Sequence, residues 1–183
     1  MRKLPWIVVL ASISPGCRSK KVEFQTVEQA HGALVAAARA GDAASLFEMV
    51  DRSTSWSVMS LLRARQRIHA LVDQHYPADR RARELRRTEA AARARNAKDY
   101  FARLAAEQRL LQEIVAAGRI DAVEGDRKRE ATVRSADHSL TFCRGDDGWR
   151  FCGWRERFER LKVRASRDLL TVRENAETFQ QGR

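Results

Sequence analysis

The stretch that decides the fold is "SLTFCRGDDGWRFCGW", residues 139–154. Two aromatic-rich runs with alternating apolar positions flank an Asp-Gly pair, which is the pattern of an antiparallel hairpin closed by a two-residue turn of the I′ type. With Asp147-Gly148 at the turn, the opposed pairs are Asp146 with Trp149, Gly145 with Arg150, Arg144 with Phe151 and Cys143 with Cys152. Leu140, Phe142, Trp149 and Phe151 then share one apolar face. Cys143 and Cys152 fall on a non-hydrogen-bonded pair, where Cα atoms approach to about 4.5 Å, close enough for a disulfide. Closing so short a loop gains roughly 2.7 kcal/mol by chain entropy. The alternative is two reduced, buried thiols acting as small hydrophobes on one side of the hairpin. Zinc is a poor fit, because no suitably spaced histidine completes a ligand set.

Outward from the hairpin, the period-two pattern extends backwards over residues 122–124, 130–134 and 140–144, giving an antiparallel meander across 121–154. Beyond it, Phe158, Leu161, Ala165, Leu169, Val172, Ala176 and Phe179 recur at spacings of three and four, so residues 155–180 form an amphipathic terminal helix. That stripe needs a partner, most simply the sheet or the long helix over 79–117 of the same chain; against a second copy it would give a weak homodimer.

The rest reads as helix. Thr26-Val27-Glu28-Gln29 is a capping box that opens a helix, Gly41 ends it, and Asp42 caps a second short one over 43–51. A third helix starts near Trp56, after Ser53-Thr54-Ser55, and stops at His75-Tyr76-Pro77. A single long helix follows over 79–117. Its first half is nearly devoid of large apolar side chains and should project from the domain or hug its surface. The fold class is therefore α+β, mostly helical, with a small meander in the C-terminal third, and residues 26–183 form one domain.

The chain has 183 residues and a formal charge of +11. Arginine supplies most of the cations, 29 against 6 lysines, a skew that a GC-rich genome produces. Charge of this size bears on solubility and on attraction to anionic surfaces, not on fold. Its densest segment carries Arg80, Arg81, Arg83, Arg86, Arg87, Arg93, Arg95 and Lys98 against Glu84 and Glu89. This is either a solvated helix face or a surface for anionic lipid, lipopolysaccharide or an acidic envelope protein. Nucleic acid is not expected, since the run lacks interleaved aromatics and a base-reading motif.

At the N-terminus, Arg2 and Lys3 precede an uncharged run, Leu4 to Ile13, and Ser14-Pro15-Gly16 leads into Cys17. A run of that length is a secretory signal, too short for a bilayer that needs about 20 apolar residues. Gly16-Cys17 resembles the lipobox of bacterial lipoproteins, although Ser14 stands where that family usually has Leu. The resemblance implies a signal peptide over 1–16, acylation of Cys17, a linker over 17–25 and a place in the cell envelope; the alternatives are an ordinary cleaved signal that leaves Cys17 a free thiol, or a wrong start codon that gives the stretch no meaning. The outer membrane is slightly favoured, because residue 18 is Arg and not the Asp that retains such lipoproteins in the inner membrane of enteric bacteria. Removing residues 1–16 takes Arg2 and Lys3 and no acid, lowering the formal charge from +11 to +9. Disulfides persist in such a compartment.

Residues 26–51, "TVEQAHGALVAAARAGDAASLFEMVD", resemble the opening of nuclear transport factor 2-like domains, a cone-shaped fold that includes ketosteroid isomerases. That resemblance implies a cavity suited to a small cofactor-free enzyme or ligand carrier, but no active-site residue of the family transfers to a matched position. Signatures of catalysis are absent from the sequence: there is no G-x-S-x-G, phosphate loop, H-E-x-x-H or dinucleotide fingerprint. His31, His69, His75 and His138 are scattered, and no metal or cofactor is expected. The reading is a lipid-anchored, non-enzymatic binding or scaffold module.

Overall fold

A computed structural model describes residues 23–126 and 128–181; the signal segment, Cys17 and linker residues 18–22 lie outside the described residues. Thr26 and Gln29 form the expected capping box, each side chain accepting a backbone N–H of the other at 3.2–3.3 Å, and open α1 (Val27–Arg39). Gly41, with φ 70°, turns the chain into α2 (Ala43–Met49), capped by Asp42. The third helix, α3 (Arg52–His75), begins four residues earlier than Trp56. Asp51 is its cap, accepting from the Ser53 and Thr54 N–H groups at 3.2 and 3.3 Å, so the serines and threonine already belong to the first turn.

The expected long helix is three helices: α4 (Ala78–Ala92), α5 (Ala97–Glu107) and α6 (Leu110–Ala116). Neither break uses glycine or proline. At the first, Asn96 accepts from the Asp99 N–H at 2.9 Å while the Asp99 carboxylate accepts from the Arg95 N–H at 3.1 Å, a reciprocal cap. At the second, Arg109 adopts a left-handed φ of 54°, costing roughly 1–2 kcal/mol. The turn directs α6 so that Leu110 and Ile114 are fully buried, which offsets that cost.

Strands β1 (Ala122–Glu124), β2 (Glu130–Ser135), β3 (His138–Gly145) and β4 (Gly148–Phe151) form one antiparallel meander in sequence order. Ala131, Val133, Leu140, Phe142, Trp149 and Phe151 are buried on its inner face. The hairpin register differs from the sequence expectation. Gly145 pairs with Gly148 and Cys143 with Arg150, so Asp146-Asp147 occupy the turn. A type I′ turn needs positive φ at both central residues, whereas here Gly148 alone has it, at 89°. Gly148 is also pressed against the incoming chain: a Cβ there would collide with the Phe24 carbonyl oxygen, which accepts from the Trp149 N–H at 2.9 Å. The shift moves the pairing by an even number of residues, so every side chain keeps its face. Cys143 and Cys152 thus remain on one side, as diagonal rather than opposed neighbours. They are joined as a disulfide with a Cα separation of 5.8 Å.

The free side of β4 is covered by bridges from Phe24 and Val50. Arg150, buried beside it, donates to the Glu48 carbonyl at 2.9 Å and to Asp147 at 3.0 Å. From β4 the chain enters α7 (Arg155–Gln181). The main partner of α7 is α3, not the sheet or the arginine-rich segment. The two run parallel: Ser57 bonds Glu159, Arg65 meets Asp168 and Asn175 bonds the Tyr76 hydroxyl. Each helix supplies an apolar stripe to the seam.

Two cores result. The body core gathers the sheet's inner face, α1, α2, α5, α6 and the first halves of α3 and α7, with Phe101, Phe151, Trp154 and Phe158 in mutual ring contact. Phe158 alone, fully buried, contributes about 1.5–3 kcal/mol by leaving water. A smaller core lies further along the paired helices, where Ile68, Val72 and Tyr76 meet Leu85, Leu169, Val172 and Phe179. We call this second region the tip.

Candidate functional site

The arginine-rich helix α4 runs back along α3 and hugs it. Only Thr88 and Ala91 of α4 are buried, so polar bonds do much of the holding. The Gln66 amide donates to the Ala91 and Ala94 carbonyls at 3.3 Å each. The Thr88 hydroxyl donates to the Leu85 carbonyl at 3.2 Å and, having a single proton, accepts from His69 Nδ1 at 2.9 Å. Arg81 turns inward, its guanidinium donating twice to the Tyr76 carbonyl at 3.0 and 2.8 Å where α3 ends.

Beside this contact lies an open groove of about 790 Å³ between α3, α4, α5 and α7. Four of the seven arginines expected to act together line it, Arg80, Arg83, Arg86 and Arg87, and the groove adds Arg65 from α3 and Arg164 from α7. Arg81, Arg93 and Arg95 are elsewhere: Arg81 on the end of α3, Arg93 paired with Glu89, and Arg95 beside Asp99 at 3.6 Å. Sequence spacing explains the first group, since positions 80, 83 and 87 share one helix face. Nothing local in the sequence pointed to Arg164, which reaches the groove only because α7 lies along α3.

The groove's charges do not cancel. Its carboxylates are Glu84, Glu107 and Asp168, three against six arginines. Glu84 is shared by Arg83 at 3.3 Å and Arg87 at 2.8 Å, and Asp168 is held by Arg65 at 3.0 Å. Arg80 lies over the Phe179 ring, 5.8 Å from its centre. Arg86 and Arg164 have no ion-pair partner among the described residues. Leu61, Leu104 and Leu161 form part of the floor. Tyr100 also lines it; burial raises its phenol above the ordinary range, which keeps the hydroxyl neutral and able to donate.

No family model, curated protein or solved structure matches this chain.

A second depression, about 640 Å³, adjoins the Cys143–Cys152 bond. Its arginines are each paired: Arg157 with Glu113 at 2.9 Å, Arg160 with Glu156 at 3.4 Å, and Arg155 with Asp51, from outside the depression, at 2.9 Å. The histidines stay apart: three have structural partners, His69 on the Thr88 hydroxyl among them, and the fourth, His138, is exposed at the start of β3 and lines this second depression. His31 is buried with Nε2 2.9 Å from the Ala117 carbonyl, and His75 meets Gln180. Among the described residues no group of His, Cys, Asp and Glu side chains is placed to hold a metal ion, and no helix is long and apolar enough to cross a membrane.

Proposed function

We propose that the protein is a non-enzymatic binding module of the bacterial cell envelope, tethered through an acylated Cys17, that engages anionic groups through the groove on α4. The observation that carries this reading is the charge imbalance of the groove: six arginines from three helices face three carboxylates in an open concavity. Like charges gathered in a concave, partly apolar setting focus their field outward and raise the local concentration of anions. The Cys143–Cys152 bond supports an oxidising compartment, and the lipobox-like Gly16-Cys17 supports the tether.

Two measurements test the two halves. The intact mass of protein extracted from bacterial membranes should lack residues 1–16 and gain an acyl-glycerol group, with two thiols alkylated only after reduction. A full-length chain with three reactive thiols refutes the envelope reading. For the groove, the chain carrying Cys17→Ser should float with phosphatidylglycerol-containing vesicles at low salt and be released at high salt. Replacing Arg83, Arg86 and Arg87 together with Gln should abolish flotation. Equal flotation on neutral vesicles overturns the anionic reading.

A further inference from the structure

The groove is more selective than a cationic surface needs to be. A flat anionic bilayer meets the outward-facing guanidiniums of one helix and gains nothing from a floor. Here Arg164 comes from a second helix, Arg65 from a third, and Tyr100 from a fourth, so a group that enters the groove is contacted from several directions. The lining carries three more arginines than carboxylates, and Asp79 lies 3.9 Å from one of them, Arg80. A carboxylate or a phosphodiester brings one negative charge, and either leaves most of the surplus in place. A phosphate monoester brings about 1.5–2 negative charges and three strong acceptor oxygens, and guanidinium forks match that geometry well.

Resting on the reading of this groove as the binding face, we propose that it is a site for one phosphate monoester group, held chiefly by Arg86 and Arg164, whose guanidiniums have no carboxylate partner. Arg83 and Arg87 complete the cradle, since Glu84 neutralises only one of the two. Leu61, Leu104 and Leu161 give the groove an apolar floor beneath these cations. The monoester is borne by a lipid headgroup such as that of phosphatidic acid or by a small soluble phosphate. The groove chemistry is the same for both.

Calorimetric titration of the full chain with inorganic phosphate, glycerol phosphate and acetate, beside flotation on phosphatidylcholine vesicles containing phosphatidic acid, tests the site. Saturable one-to-one binding of inorganic phosphate is expected, not displaced by acetate. Arg86→Gln and Arg164→Gln should each weaken it about tenfold, while Arg95→Gln leaves it unchanged. Thermal melts of each variant should match the parent, which separates lost contacts from lost fold. Tighter binding to phosphatidic acid vesicles than to glycerol phosphate assigns the lipid source, and comparable binding assigns the soluble one; both outcomes support the site. Competition by acetate at equal concentration, or phosphate binding indifferent to Arg164→Gln, overturns it. If flotation on phosphatidylglycerol vesicles persists in that case, the anionic-surface reading stands without a phosphate site. If flotation also fails, both fall.

Discussion

The body and the tip are held together by different means. In the body, rings of Phe101, Phe151, Trp154 and Phe158 interlock beneath a sheet whose inner face buries Ala131, Val133, Leu140, Phe142, Trp149 and Phe151. In the tip, seven apolar side chains from α3, α4 and α7 make a thin core, and α4 is fastened by Gln66, His69 and Arg81 through hydrogen bonds to backbone or hydroxyl oxygens. The way α4 is fastened lets it carry so many cations. A helix that buries a broad apolar stripe has little face left for anything else. One that lies down on Thr88 and Ala91 keeps most of its circumference for guanidiniums.

This contrast can be broken most directly by emptying the body core. Phe158→Ala should cost about 3–5 kcal/mol of unfolding free energy, read from urea melts, and should lower the stability of the tip with it because α7 belongs to both. If amide exchange in α4 stays unaffected, the two regions fold independently and the division is deeper than described. Reduction of Cys143–Cys152 should cost roughly 2.7 kcal/mol on the chain-entropy estimate, visible as a lower melting temperature in the presence of a thiol reductant. In the tip, Tyr76→Phe removes the hydroxyl that accepts from Asn175 and should cost about 1 kcal/mol. That loss should appear first as faster amide exchange over residues 78–92, through local opening. A loss spread evenly over the sheet would contradict the idea of a separately fastened tip.

The smallest expected effect is acid sensitivity at two helix caps. Asp42 is held below the ordinary carboxylate range mainly by the Ser45 hydroxyl, and Asp99 mainly by the Arg95 N–H. Because both folded values lie below the unfolded one, their contribution is complete above the ordinary value of 3.8 and is lost as pH falls through the lowered values. Melts taken from about pH 5 downward should show this slope shrinking in Asp42→Asn and Asp99→Asn; an unchanged slope in both variants removes the caps as its source.

Local chemistry was legible where it sufficed to fix local structure. The Thr26 capping box, the Gly41-Asp42 break, the four strands and the apolar stripe from Phe158 to Phe179 could all be read from spacing. The break at Asn96 was present as an Asn three residues before an Asp, but it was hidden in an alanine- and arginine-rich run that favours helix everywhere. The left-handed Arg109 has no local signature, since what stabilises it is the distant packing of Leu110 and Ile114. The hairpin turn slipped from the expected Asp147-Gly148 because Phe24, more than a hundred residues earlier, packs against Gly148. For the same reason the groove was only half visible. Arg80, Arg83, Arg86 and Arg87 lie in one run, whereas Arg65 and Arg164 join them through the parallel pairing of α3 and α7, which no sequence period encodes.

That parallel pairing has an electrostatic consequence. Side-by-side helices of the same direction add their macrodipoles, so the tip gathers two negative helix ends where an antiparallel pair would leave one of each sign. The chain then places Arg80 and Arg81 in the first turn of α4, directly after Ala78 and Asp79, where cations are a poor choice for a helix considered alone. Arg81 sits on the Tyr76 carbonyl that caps α3 and Arg80 over Phe179 near the close of α7, so the first two arginines of the run serve as counter-charges to their neighbours' termini. The arginines that follow are released from that duty.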